Sequence, residues 1–300
     1  MDYRGQARLV EEIMRHIVRL SASVVLLGLA LSGCGGKKET EPAVATPTLT
    51  FSKDRVPIGS AVTLTYKFVV EPTAKFDRDY TVFVHVLDPE GEQMWTDDHP
   101  PAVPTSKWKG GETIEYKRTI FVPAYPYVGD AIVRLGLYDL ASGNRLVLKA
   151  NQASRREYIV AKIQIAPSLE NIFIMYNDGW HSAENDVKSP QNEWQWTKKT
   201  STARFKNPKK DSTLYLEFDG RPDLFQAPQQ ITLKIGDQVV GTLSATSKTP
   251  TLVTLPLTAA QLGAADMVDL VIDVDQTFKP GGTDPRELGI RVFHLFIDPK

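Results

Sequence analysis

The 300-residue chain has one cysteine, Cys34. With no second cysteine there is no intrachain disulfide, so stability must come from burial. It also lacks an apolar run of the roughly 20 residues that span a bilayer. Its longest candidate, residues 20–31, is about half that length. Charge of one sign is missing too, with 35 basic residues against 36 acidic. A polyanion binder needs a basic stripe, so nucleic acid is not an expected partner. There is no Gly-x-Ser-x-Gly elbow, no His-Glu-x-x-His, no EF-hand spacing, no P-loop and no Gly-x-Gly-x-x-Gly. These absences leave no motif for a catalytic set, a resident metal or a nucleotide cofactor, and none of the three is assigned.

What is present begins near the N-terminus. Arg15 and Arg19 precede the apolar stretch 20–31, and small residues follow it. A basic flank, a short apolar core and a small-residue end define a secretory signal peptide. Glu11 and Glu12 are unusual in the basic flank, and a start at Met14 gives a signal of ordinary length. The run Leu31-Ser32-Gly33-Cys34 resembles the lipobox of bacterial lipoproteins. The resemblance implies diacylglycerol on Cys34, cleavage before it, and a membrane as partner. Gly35 stands where an aspartate would imply inner-membrane retention, so the implied address is the cell envelope at the outer membrane. Without residues 1–33 the chain keeps 31 basic and 33 acidic residues, a net charge of −2.

Residues 34–48 are small, charged and proline-containing, and are expected to form a lipidated flexible linker. From residue 49 to 166 the pattern is strand-like. Val62, Leu64, Tyr66 and Phe68 alternate with polar residues, and further runs fit strands at 80–87, 112–121, 131–139 and 157–165. Turn signals at Pro89-Glu90-Gly91 and Ser142-Gly143-Asn144 separate them. From 167 to 300, runs at 213–219, 229–235, 238–245, 251–256, 267–274 and 289–297 repeat the pattern. Gly236-Asp237 suits a hairpin turn, and Thr258 suits the N-cap of one helical turn. The expected fold class is therefore all-β, with two consecutive β-sandwich domains, 49–166 and 167–300.

Two stretches sharpen that expectation. Residues 82–91, 104–112 and 136–146 resemble the Ig-like accessory domains of bacterial envelope proteins, some of which sit on membrane glycosyltransferases. The stretches Gly179-Trp180-His181-Ser182-Ala183-Glu184, Trp194-Gln195-Trp196-Thr197 and 278–290 resemble a jelly-roll-like module of bacterial polysaccharide and glycosyltransferase proteins. That module carries arginine where Gln195 stands. The resemblance implies an Ig-like domain followed by a jelly-roll-like one, in an accessory or sugar-contacting role.

The candidate ligand-binding residues are Trp180, Glu184, Trp194, Trp196, Asp284, Arg286 and Glu287. Aromatic faces stack on the apolar faces of sugar rings, and carboxylates accept their hydroxyl protons. Core packing competes for the same tryptophans. Trp194 and Trp196, two apart, share one side of any strand, which is either core or platform. Arg286 either grips a ligand or clamps its own loop, for example to Glu184. Asp97-Asp98-His99 is expected to be a polar loop, and Asp266, Asp269, Asp273 and Asp275 a solvated strand face. The expected function is a non-catalytic, lipid-anchored envelope protein that binds glycan or scaffolds polysaccharide handling. Two rivals stand beside it: an envelope lipoprotein that binds a protein partner, and a glycoside hydrolase with Glu184 and Glu287 as its carboxylate pair.

Overall fold

A computed structural model describes residues 41–125, 127–189 and 192–300. The expected signal peptide, Cys34 and the first part of the expected linker lie outside the described residues. The first nine strands are β1 (Ala45–Phe51), β2 (Arg55–Pro57), β3 (Ala61–Val70), β4 (Thr81–Leu87), β5 (Gln93–Thr96), β6 (Thr113–Phe121), β7 (Gly129–Tyr138), β8 (Asn151–Ser154) and β9 (Glu157–Ala166). Ten more follow: β10 (Ile174–Tyr176), β11 (Glu184–Asn185), β12 (Glu193–Trp196), β13 (Thr200–Lys206), β14 (Ser212–Asp219), β15 (Gln229–Ile235), β16 (Gln238–Ala245), β17 (Thr251–Leu257), β18 (Met267–Val274) and β19 (Arg291–Pro299). One helical turn, α1 (Ala259–Leu262), precedes β18. The described chain is all-β apart from such single turns.

Strands β1-β3-β6 form one sheet, and β2-β9-β7-β4-β5, with β8 beside β9, form a second. Val62, Leu64, Tyr66 and Phe68 of the first sheet pack against Val82, Val84, Val86, Val133 and Leu135 of the second. This is the alternation seen in the sequence, with period two placing every other residue in the core. A second core is built between β10-β13-β18-β15-β16 and β11-β12-β19-β14-β17. It holds Phe205, Leu214, Leu216, Ile231, Leu233, Leu270, Ile272 and Ile297. Both cores lie within one compact unit, Ala43–Lys300.

Several local expectations meet their structures directly. β15 turns into β16 through Gly236 at φ +56°, with Ile235 paired to Gln238. Thr258 caps α1, its side chain accepting from the Gln261 backbone while the Gln261 side chain accepts from Thr258 N–H. That reciprocal pair satisfies two otherwise orphaned donors.

One expectation is corrected and one is refined. The tether was expected to run to residue 48, but β1 begins at Ala45 and pairs with β3 through Phe51. Ala45, Pro47 and Leu49 point inward while Thr48 and Thr50 point out. The period was there, carried by an alanine and a proline too small and too unusual for a strand to be recognised. Pro47 is tolerated because β1 is an edge strand of its sheet. The Asp97-Asp98-His99 stretch lies outside the named strands as a polar loop with Asp98 exposed, but Asp97 and His99 are 8% and 4% exposed. Tyr66 Oη donates to Asp97 at 2.6 Å, Arg118 Nη2 donates to it at 2.7 Å, and His99 Nε2 meets Tyr116 Oη at 2.8 Å. A buried carboxylate is tolerable only with such partners.

Candidate binding cleft

The sequence candidates converge on one end of the second sandwich, at β12 and the loop between β18 and β19. β12 pairs with β19 so that Gln195 faces Val292 and Trp196 faces Arg291. Paired residues share a face. Val292 belongs to the core, so Gln195 points in, while Trp196 and Arg291 lie on the sheet's outer side. Trp194 and Trp196 do share one side, and it is the side away from the core.

There they form a ladder. The Arg291 guanidinium lies 5.0 Å from the Trp194 ring and 5.7 Å from that of Trp196. Trp196 meets Phe278 edge-on at 5.6 Å, and Arg221 stands 5.3 Å from Phe278. Alternating cations and rings each contribute about 0.5–1 kcal/mol when exposed, more when desolvated. Asp219 completes the ladder: Arg291 Nε donates to its carboxylate at 2.8 Å, and Arg291 Nη2 donates to the other oxygen. Burial pushes the Asp219 carboxyl above its ordinary range, against the pull of Arg291. The ladder presses the 275–289 loop onto the sheet, leaving Trp196 buried and Phe278 half-buried.

Between that loop and the Arg221 loop opens a cleft of about 380 Å³. Phe278, Leu224 and Pro280 supply its carbon surface over the buried Trp196 and Leu288, and Glu184, Arg221, Lys279, Asp284 and Arg286 its charge. Arg286 is the organiser. Its Nε and Nη2 donate to the two Asp284 oxygens at 2.9 and 2.8 Å, and its Nη1 donates to Glu184. The fork therefore ties the β19-side loop to β11. The same guanidinium, with a backbone N–H, draws the Asp284 carboxyl down to about 2.

Four of the seven candidates line the cleft: Glu184, Trp196, Asp284 and Arg286. The other three stand elsewhere. Trp180 packs on the core edge, donating its indole N–H to Thr202 O at 2.9 Å and meeting Tyr176 edge-on at 4.7 Å. Trp194 is half-buried beneath Arg291 and beside Phe293. Glu287 points to Thr277, whose hydroxyl donates to it at 2.6 Å. His181 joins the two halves of the region, its Nε2 donating to Glu287 O at 2.8 Å.

Residues with no sequence signal do much of the positioning. Gln229 is wholly buried. Its Oε1 accepts from Arg221 N at 3.0 Å, and its Nε2 donates to Gln276 O and Gly289 O at 2.8 and 3.0 Å. One amide thus ties the Arg221 loop to both ends of the 275–289 loop. Gly179 holds φ +85°, and a Cβ there would stand 2.0 Å from Thr200 O. Only glycine lets the Trp180 loop lie this close to β13.

Fold and cleft together define a β-sandwich protein with an aromatic floor under a guanidinium–carboxylate cluster. No protein-family model matches the chain, and no curated protein sequence does. Among solved structures, it is similar to a Pseudomonas fluorescens alkylpurine DNA glycosylase, AlkC, bound to DNA containing an abasic site analog, at 10% identity and TM-score 0.28, over 42% of this chain and 31% of that one. It is similar to a Bacteroides uniformis beta-glucuronidase at 12% identity and TM-score 0.29, over 85% of this chain and 30% of that one. It is also similar to the N-terminal CBM22-1-CBM22-2 tandem domain from Paenibacillus barcinonensis Xyn10C at 11% identity and TM-score 0.24, over 82% of this chain and 80% of that one. The chain spans less than a third of the length of the first two.

Proposed function

We propose that the cleft binds a glycan, and that the protein is a non-catalytic envelope component held to its membrane through lipidated Cys34. The observation that carries the glycan assignment is the cleft's composition. A ring at Phe278 and a floor at Trp196 stand beside fixed hydrogen-bonding groups on Arg286, Asp284 and Glu184. Its volume falls within the range of about 300–1,000 Å³ for small-molecule sites. The anchor rests on Leu31-Ser32-Gly33-Cys34 after the basic-flanked apolar run, and Gly35 fits an outer-membrane address.

The charge state of the cleft favours binding over hydrolysis. A glycosidase acid needs a raised pKa to deliver its proton near neutral pH. Asp284 is instead drawn down to about 2, and Glu184 is engaged by the same arginine. Glu287, the partner considered for Glu184, does not line the cleft. A protein partner has one feature in its favour: among the described residues β16 pairs only with β15, leaving an open edge with Val239 half-exposed. Such edges invite an added strand.

The test is a screen of the intact protein against immobilised bacterial and plant polysaccharides. Retention on at least one is expected. Failure on all of them, with an envelope protein crosslinking at β16, would transfer the assignment to the edge strand.

A further inference from the structure

The second sandwich has another opening, larger and of different chemistry. It is an apolar groove of about 660 Å³ bordered by Phe173, Met175, Pro208, Met267 and Pro299. Ile172 and Ile174 pack on the core, so strand alternation turns Phe173 and Met175 outward. Phe173 is 77% exposed and Met267 39%. The polar side chains at the groove are already engaged. Asn171 Nδ2 donates to Ile58 O at 2.8 Å, and Asn207 Nδ2 donates to Ala265 O at 2.8 Å. Pro208 and Pro299 have no N–H to offer. The groove therefore presents mainly carbon, with Lys206 and Lys210 among the residues at its border. Among the described residues neither lysine forms an ion pair, whereas the nearby acids are taken: Lys209 holds Asp266 at 2.6 Å and Lys53 holds Asp298 at 2.5 Å.

We infer that this groove takes the acyl chain of an anionic lipid, with the lipid headgroup on Lys206 and Lys210. Charge complementarity selects the headgroup, and a contiguous exposed apolar surface selects the chain. The position adds an orientation. β18 starts at Met267 in the groove and ends at Val274, three residues before Thr277 and the cleft loop. β19 starts at Arg291 beside the cleft and ends at Pro299 in the groove. At about 3.3 Å per residue, the two openings stand at opposite ends of the sandwich, roughly 25 Å apart. A lipid held in the groove leaves the cleft facing away from the membrane. The inference does not rest on the glycan assignment, and either can fail alone.

The experiment uses the full chain carrying Cys34→Ser, so that no acyl group of its own competes. It is titrated with laurate, with decanoate, and with dodecyltrimethylammonium as the cation of matched chain length. Laurate is expected to bind. Decanoate, two methylenes shorter, should bind about tenfold more weakly. Met175→Asp should abolish laurate binding, and Met267→Glu serves the same purpose if that variant melts early. Lys206→Glu with Lys210→Glu should weaken laurate by about tenfold and improve binding of the cation. The assignment is overturned if laurate does not bind, if the groove variants leave its affinity unchanged, or if the cation binds the native chain as tightly.

Discussion

Arg286 holds two carboxylates with one fork, and the cleft inherits its geometry from that arrangement. Lysine carries the same charge but cannot reproduce a planar bidentate contact. Arg286→Lys is expected to weaken glycan retention several-fold while the melting temperature stays close to native, because the group stands at the surface. Asp284 sets the pH range. Its folded pKa, about 2, lies below an unfolded value near 3.9, so its contribution is complete above about pH 4 and is lost as pH falls towards 2. Glycan binding should therefore be level from pH 5 to 8 so far as this clamp controls it. His99 acts in the same direction at higher pH. Burial holds its pKa below 6.5, so below that pH the unfolded chain takes up a proton that the folded chain refuses. Stability should fall as pH drops through 6.5, and the slope should flatten in His99→Gln; melting curves at pH 5, 6 and 7 would check this. Of these groups, the sequence suggested a link between Arg286 and Glu184 but not the bidentate hold on Asp284. Gln229 was silent, because a glutamine beside Gln230 at a strand start resembles any solvated pair. Only three-dimensional closure reveals that its amide meets three backbone groups on two loops.

Strands were legible where large apolar residues alternate. β4, β15, β16 and β18 match the expected runs to within a residue at each end. β13 was not anticipated, although it sits between β10 and β18 in its sheet. Its inward residues are Ser201, Ala203 and Phe205, and only the last has the bulk that marks a buried strand. β1 escaped for the same reason, with Ala45 and Pro47 inward. The structure makes residues 45–48 part of the first sheet rather than of a tether. A chain beginning at Leu49 loses the pairing of residues 45–48 with Lys67, Phe68, Val69 and Val70 and uncovers Phe68 and Val70. It should melt several degrees below one beginning at Ala43, as a loss of 1–2 kcal/mol implies for a chain of this size. Equal melting temperatures would contradict the role given to β1. The cap at Thr258 was readable because its chemistry is local. Thr258→Ala should cost about 1 kcal/mol in chemical denaturation.

At the level of the molecule, the two cores meet through a small set of specific contacts. Phe121 of β6 stacks on His294 of β19 at 4.0 Å with the rings nearly parallel, and its edge faces Phe296. Lys53 reaches Asp298, and Asn171 reaches the Ile58 carbonyl. On β19 these contacts run from His294 to Asp298, while the cleft lies at its start. No sequence pattern announced them, since each joins residues more than 100 apart. With the proposed anchor at Cys34 and the proposed lipid groove at one end of the second sandwich, the proposed glycan cleft lies at the other. The central claim is the cleft. The measurement that tests it is the affinity of a retained glycan for the native protein, Phe278→Ala and Trp180→Phe. The account predicts a loss of about tenfold, ~1.4 kcal/mol, for Phe278→Ala and little change for Trp180→Phe. Loss that follows Trp180 while Phe278→Ala binds like the native protein would contradict it.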